Sequence, residues 1–367
     1  MIMEVPYRLP CFIGGTLTGE VSDTKNDGAE KAAELTGEYI EAGAEVVFAP
    51  TEEGIAEAVV TAAGGRAVPA GRLTATGAAV EPFGEVSFYD LLKVYTEQVM
   101  TLKKAGVGMI SAEGMTTLCE ARAAVIAARR AEMTVWVSFA CDENGLTEND
   151  TSVTAALICL QEMGISAFGL DGGNAEELSD IIEELAAYSK VPLSVRFTPS
   201  EGGDFAEEVK LLLDSGADIV GGTAATSPAQ LATAKGLCES YHRTNPIEKA
   251  ETGICLASEH QAFFLEADAI ECTEPIVCGL DMEDEFVKLA ETNYDVITVE
   301  LYTDDDALLL SRSAYMASLP VMLRCDDIFV LKTALLTYSG RAMIDSTCGI
   351  DRVELETAAL EYGAVIY

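Results

Sequence analysis

The chain has 367 residues, 49% of them hydrophobic and 23% charged, with 61 acidic against 23 basic side chains and a formal net charge of −38. That apolar share argues against disorder, and the acidic excess argues against nucleic acid or membrane partners, which need clustered lysine and arginine. The length exceeds one ordinary domain and favours a large barrel followed by a smaller unit.

The opening residues, MIMEVPYRLPCFIGG, have neither the basic start nor the apolar run of a signal peptide. No stretch of about 18 uninterrupted apolar residues follows, so a cytoplasmic protein is expected. From there a strand-then-helix alternation repeats eight times. Apolar runs predict strands over 11–17, 45–50, 67–73, 108–113, 134–140, 167–171, 192–197 and 218–222. Glu/Ala-rich amphipathic stretches predict helices over 29–42, 53–63, 87–105, 117–130, 152–163, 175–188, 205–215 and 228–241. The segments EAGA, KAGV, EMGIS and DSGAD precede strands, where glycine supplies the positive φ of a helix C-cap. Eight units in about 240 residues match a (β/α)8 TIM barrel, which places any chemistry at the C-terminal strand ends. An open doubly wound sheet would need a strand-order switch that nothing marks.

The barrel is assigned to 1–242 and a polar linker, broken by Pro246, to 243–253. Over 254–367 the alternation resumes, with strands expected at 254–258, 296–301, 320–324, 341–345 and 363–367 and helices at 282–292, 305–317, 327–338 and 351–362. These are too few units for a second eight-stranded barrel, so a smaller partial-barrel α/β domain is expected. Its last strand offers an edge that a second copy would cover, and a homodimer is expected.

Four segments carry a family resemblance. They are RLTATGAAVEPFGEVSFYDLLKVYTEQVMTLKKAGVGMISAEGMTTLCEARAAVIAAR (72–129), VWVSFACDENG (135–145), AFGLDGG (167–173) and IVGGTAATSP (219–228). Together they resemble the homocysteine-binding barrel of homocysteine S-methyltransferases and cobalamin-dependent methionine synthase, over roughly residues 8–242. The stretch PVMLRCDDIFVLKTALLTYSGRAMIDSTCGIDRVELETAALEYGAVIY (320–367) is similar to the start of methionine synthase's pterin-binding, methyltetrahydrofolate-binding barrel.

The resemblance implies thiol methylation through zinc held by three cysteines, one after strand six and two adjacent after strand eight. Such a metal keeps homocysteine as a thiolate, whereas a free thiol has a pKa of about 8.5; soft sulfur ligands suit that ion. In this chain those positions hold Gly172, Thr223 and Ala224. The acidic and amide positions of the first two strand ends fall on Gly14, Phe48 and Pro50, whereas Glu113 after strand four is retained. The resemblance gives Glu113 the substrate's amino group to hold; an acid with a neighbouring basic partner is the plainer alternative. The pterin positions fall on Thr298, Glu300, Arg324 and Asp345, and neither His242 nor His260 has the flanking residues of a cobalamin-ligating loop. Zinc, cobalamin and folate are therefore not expected as cofactors.

Other constellations are weaker. Cys255, His260, Cys272 and Cys278 lie within 24 residues but match no zinc ribbon or finger. The ten cysteines, with no C-x-x-C pair, read as small buried hydrophobes of a reduced protein. Two histidines leave little scope for imidazole catalysis; His242 is expected in solvent and Glu259–His260 as a surface pair. GGTAATSP lacks the ending of a Walker loop. Its amides and those of DGGNAEE offer two helix starts to a small anionic or zwitterionic ligand, although capping alone accounts for Asn174, Thr226 and Ser227. Glu113, Asp171 and Thr223 are the candidate ligand-binding residues, Asp171 favouring an amine.

Three readings follow. The preferred one is a diverged family member without thiol methylation, acting in binding, regulation or scaffolding, with a small amino-acid-like ligand or a corrinoid or other methionine-synthase-like protein as partner. The second is a methyltransferase with a different substrate or a separate corrinoid protein, and the third an active homocysteine methyltransferase with zinc ligands recruited from elsewhere.

Overall fold

A computed structural model describes residues 11–13, 25–52, 54–223, 226–243 and 246–367. Eight parallel strands close a barrel in chain order. They are β1 (Cys11–Ile13), β2 (Val46–Ala49), β3 (Val68–Thr74), β4 (Met109–Met115), β5 (Val135–Phe139), β6 (Ala167–Asp171), β7 (Leu193–Phe197) and β8 (Ile219–Gly222). Between and after them run α1 (Lys25–Glu41), α2 (Ile55–Ala63), α3 (Phe88–Ala105), α4 (Leu118–Arg130), α5 (Val153–Leu160), α6 (Ala175–Tyr188), α7 (Phe205–Ser215) and α8 (Pro228–Ser240). β1 pairs with both β2 and β8, which closes the ring. The expected end of the first strand, including Gly14, lies outside the described residues.

Local chemistry explains these elements. Ser87 and Asp90 form a reciprocal capping box that starts α3, Lys103 and Lys104 sit in its last turn, and Gly106 ends it at φ 93°, a conformation that side chains resist. Along the strands the side chains alternate between two faces, and nearly every residue is buried because both faces are covered, as parallel sheets require. One parity, Val46, Phe48, Ala70, Met109, Trp136, Ala167 and Ile219, fills the bottom of the lumen. The other, including Val47, Ile110, Val137, Phe168, Val195 and Val220, packs outward against the helices.

The C-terminal region departs from expectation at its start. β9 (Ile254–Ala257) was expected to open the sheet, but it pairs antiparallel with β10 (Ala262–Leu265) and forms a separate hairpin. The sheet instead runs β11 (Ile276–Val277), β12 (Ile297–Glu300), β13 (Val321–Arg324), β14 (Met343–Ile344) and β15 (Val365–Ile366), all parallel. Its helices are α9 (Met282–Leu289), α10 (Asp304–Ser313), continued by a 3₁₀ turn at Ala314–Met316, α11 (Ile328–Thr337) and α12 (Arg352–Tyr362). β11 is two residues long between Pro275 and Gly279, too short for a periodic signal. The hairpin packs Ile254, Phe263 and Leu265 against Val296, Met322 and Met343 of the sheet.

Helix α4 ties this region to the barrel. Arg122, 1% exposed, donates from Nη2 to Leu335 O at 2.6 Å and from Nη1 to Gly340 O at 3.0 Å, where the C-terminal end of α11 favours a cation. At the start of α4, Glu259 from the β9–β10 turn accepts Leu118 N at 2.7 Å and Thr151 Oγ1 at 3.0 Å. The expected Glu259–His260 surface pair is thus split. His260 is exposed, with Nδ1 2.8 Å from Asp150 O, while Glu259 turns inward to accept the Leu118 amide, which the Thr117 cap leaves open. The segment read as a linker also holds to the barrel, Lys249 Nζ donating to Ala186 O and Ser189 O at 2.7 and 2.8 Å. Among the described residues no helix is long and apolar enough to cross a membrane.

Burial pushes the Glu259 carboxyl above its ordinary value, against the opposing hydrogen bonds from Leu118 and Thr151. The folded chain therefore holds that proton more tightly than the unfolded one. Its stabilising contribution is complete below the ordinary glutamate pKa of about 4.3 and is lost as pH rises through the folded value. Glu259→Gln keeps an acceptor for Leu118 N without the ionisation. It should unfold at higher urea than wild type at pH 7, with the gap closing toward pH 4; a gap that widens on acidification would contradict this account.

Candidate functional site

Above the apolar plug the lumen parity turns polar. Arg72 on β3, Ser111 and Glu113 on β4, Ser138 on β5, Asp171 on β6 and Ser194 and Arg196 on β7 continue the inward-facing rows. Register sets Asp171 directly beside Arg196 and Thr74 beside Glu113. Glu113 Oε2 accepts Arg72 Nε and Arg196 Nη1, each at 2.8 Å. Asp171 Oδ1 accepts Arg196 Nε at 2.7 Å and Nη2 at 2.6 Å, and its Oδ2 takes Gly114 N at 2.8 Å and the Ser138 hydroxyl. The Arg196 guanidinium carbon stands 4.9 Å from the Phe48 ring centre.

Desolvation alone would lower the Arg196 pKa, but the charges of Asp171 and Glu113 outweigh it and raise the value, so the buried side chain stays a cation. Glu113 is 2% exposed at its side chain, yet Oε1 has no hydrogen-bond partner among the described residues. The Glu113 carboxylate thus has the basic neighbours of the plainer alternative and one acceptor still vacant.

The other candidate positions surround this network. Gly172 follows β6 at φ 84°, its N–H donating to Arg196 O at 2.9 Å, and a Cβ there would meet nothing within 4 Å. Thr223 Oγ1 lies 3.4 Å from Thr198 Oγ1. Ala224 lies outside the described residues. Asn174 and Ser227 cap α6 and α8, accepting Glu177 N at 3.0 Å and Gln230 N at 3.3 Å, and Glu177 and Gln230 fold back on the cap amides. Both helix starts considered for an anion are thereby already occupied by their own side chains. Thr226, expected as a cap, is not one. It is buried with Oγ1 unpartnered among the described residues, pressed so close to β8 that a Cβ on Gly222 would fall 2.0 Å from it.

In the C-terminal sheet Arg324 Nε stands 3.8 Å from both Glu300 Oε1 and Asp345 Oδ2. Thr298 is 2% exposed, with Oγ1 unpartnered among the described residues. An arginine between two acids thus recurs at the strand ends of the second sheet, there partly in solvent. Cys255, His260, Cys272 and Cys278 do not converge; among the described residues no three His, Cys, Asp or Glu side chains are grouped to hold a metal.

Sequence reasoning missed Arg72, Arg196 and Ser138. The available signal was parity: an arginine inside VPAGRLT or LSVRF, in step with the small and apolar lumen residues, must point down the barrel axis.

A closed parallel barrel with ionisable groups collected at its C-terminal strand ends defines a (β/α)8 barrel protein. Residues 16–237 match the family model described as homocysteine S-methyltransferase, and the chain belongs to that family. Methionine synthases of Mycobacterium tuberculosis and Mycobacterium leprae are similar to it at 23% and 21% identity, each over 74% of this chain and 26% of the relative. The chain thus spans about a quarter of the length of those curated relatives. Among solved structures, the homocysteine methyltransferase MmuM from Escherichia coli shares the fold. Its apo form has a TM-score of 0.51 at 18% identity and its metallated form 0.52 at 16%, covering 62% of this chain and 95% and 96% of those chains.

Arg196→Met would leave two buried carboxylates without their common cation. Breaking such a group costs about 3–5 kcal/mol, so urea unfolding should show a loss of that order. Arg196→Lys, lacking the fork that reaches both acids, should recover only part of it.

Proposed function

We propose that this chain is a member of the homocysteine S-methyltransferase family that does not methylate thiols and instead binds a small amino-acid-like ligand at the barrel mouth, in a binding, regulatory or scaffolding role. The observation that carries the reading is the Arg196 guanidinium bridging Glu113 and Asp171, beside Gly172 and Thr223, which offer no thiolate. Zinc takes thiolate, imidazole or carboxylate donors with their negative charge available. Here the nearest carboxylates are already neutralised by arginine, and the donor set does not fit that ion.

A zwitterion fits the same groups better. Glu113 Oε1 would take its ammonium. Arg72, 27% exposed and bonded among the described residues through Nε, would take its carboxylate. Folate and cobalamin are not part of the proposal: Arg324 stands between Glu300 and Asp345 where pterin contacts would stand, and Thr298 beside them is buried. A second reading keeps methyl transfer to an acceptor needing no zinc-bound thiolate, from a separate corrinoid protein or other methionine-synthase-like partner. Family membership favours it. The half-exposed edge strand β15 also supports a homodimer, which sedimentation at micromolar concentration would reject by showing a monomer.

Metal analysis of the purified protein should find zinc far below one per chain. Homocysteine or methionine at 100 times its dissociation constant should stabilise the fold by about 2.7 kcal/mol, and Glu113→Gln should remove that shift. Methyltetrahydrofolate and cobalamin should produce none. Stoichiometric zinc together with methionine formation from homocysteine would overturn the proposal.

A further inference from the structure

A second cavity lies away from the barrel mouth, between the barrel and the C-terminal sheet, with a volume of about 390 Å³. The loop after β3, the start of α4, the β9–β10 turn and the 3₁₀ turn after α10 wall it in. Four carboxylates line it, Glu81, Glu120, Glu148 and Glu259, and no lysine or arginine does.

The four are not equivalent. Glu81 is paired with Arg312, Nε and Nη2 standing 3.1 and 3.2 Å from its oxygens. Glu259 is committed to the start of α4 and to Thr151. Glu148 stands in the loop after β5 and reaches solvent. Glu120 differs from all three, being 2% exposed. Its Oε1 takes every hydrogen bond it has, from Thr76 N at 2.9 Å, from the Thr76 hydroxyl and from Tyr95 Oη at 3.4 Å. Its Oε2 has no partner among the described residues. A carboxylate this little exposed, with no basic side chain against it among the described residues, gains from a cation that enters the cavity.

At the rim stand two aromatic rings, Phe83 and Tyr315, edge to face with centroids 4.9 Å apart; Phe83 is 76% exposed. They offer an apolar wall and π faces to a bound cation. The Cys119 thiol in the wall is pushed up to about 12 by burial and then by the charge of Glu259, so it stays protonated at neutral pH and supplies no nucleophile.

We infer that this cavity is a binding site for an organic ammonium ion, its nitrogen on Glu120 Oε2 and its apolar part against Phe83 and Tyr315. Anions are repelled by Glu120 and Glu148, which no lysine or arginine pairs among the described residues. A bare metal ion is disfavoured because no three ligating side chains converge among the described residues. The site is separate from the barrel mouth and does not depend on what binds there.

The test is calorimetric titration of the full chain with 2-phenylethylammonium, 2-phenylethanol and phenylacetate. The ammonium should bind one per chain, the alcohol at least tenfold more weakly, and the acid not at all. Glu120→Gln should weaken the ammonium at least tenfold and leave the alcohol unchanged. Should loss of the Thr76 contacts prevent that variant from folding, Phe83→Ala at the exposed rim should weaken ammonium and alcohol alike. Glu113→Gln, at the barrel mouth, should change nothing. Equal binding of ammonium and alcohol, no saturation at millimolar ammonium, or loss of binding in Glu113→Gln with Glu120→Gln intact would each overturn the assignment.

Discussion

Inside a closed parallel barrel a carboxylate has no water to retreat to, and two of them on facing strands need one cation between them. Arg196 is that cation. Its fork spans Asp171 on the neighbouring strand and Glu113 across the lumen, while Phe48 covers one of its faces. The charge therefore divides the lumen into a dry lower plug and a polar upper tier, and it decides what the upper tier has left to offer. With Asp171 held by Arg196, Gly114 and Ser138, the vacancies among the described residues include Glu113 Oε1 and the outer nitrogens of Arg72. The ligand reading follows from this inventory of vacancies.

The strand-end turns show how divergence can spare a backbone. Gly172 sits in a left-handed turn with open space at its missing side chain, and Gly222 is compelled by Thr226. Both turns retain helix starts closed by their own capping boxes. Capping and register hold these turns whatever the loops carry.

Much of the architecture was legible from periodicity. β6, α6 and α7 fall on their expected residues because each is bounded by a clear stop: Gly172 after β6, Asn174 before α6, Asp204 before α7. The hairpin β9–β10 was misplaced because a short apolar strand says nothing of its partner, and β11 was invisible at two residues. Glu113 and Asp171 were legible as strand-end acids. The cation joining them was not, because pairing across a lumen depends on which strands face one another once the ring has closed, and local sequence does not carry that. Glu259 was misjudged for the same reason: its partner, the start of α4, lies far away in the chain.

Arg122 has a consequence for the ancestry of such chains. Its guanidinium lies wholly inside protein, with Nε unpartnered and its other nitrogens spent on carbonyls and sulfur atoms, among them Leu335 O and Gly340 O of the C-terminal region. Barrel and sheet are thus not freely interchangeable cassettes. A shuffling event that brought in another neighbour would have to reproduce two carbonyl positions to within an ångström, or first surrender the arginine, so the two halves are bound to drift together.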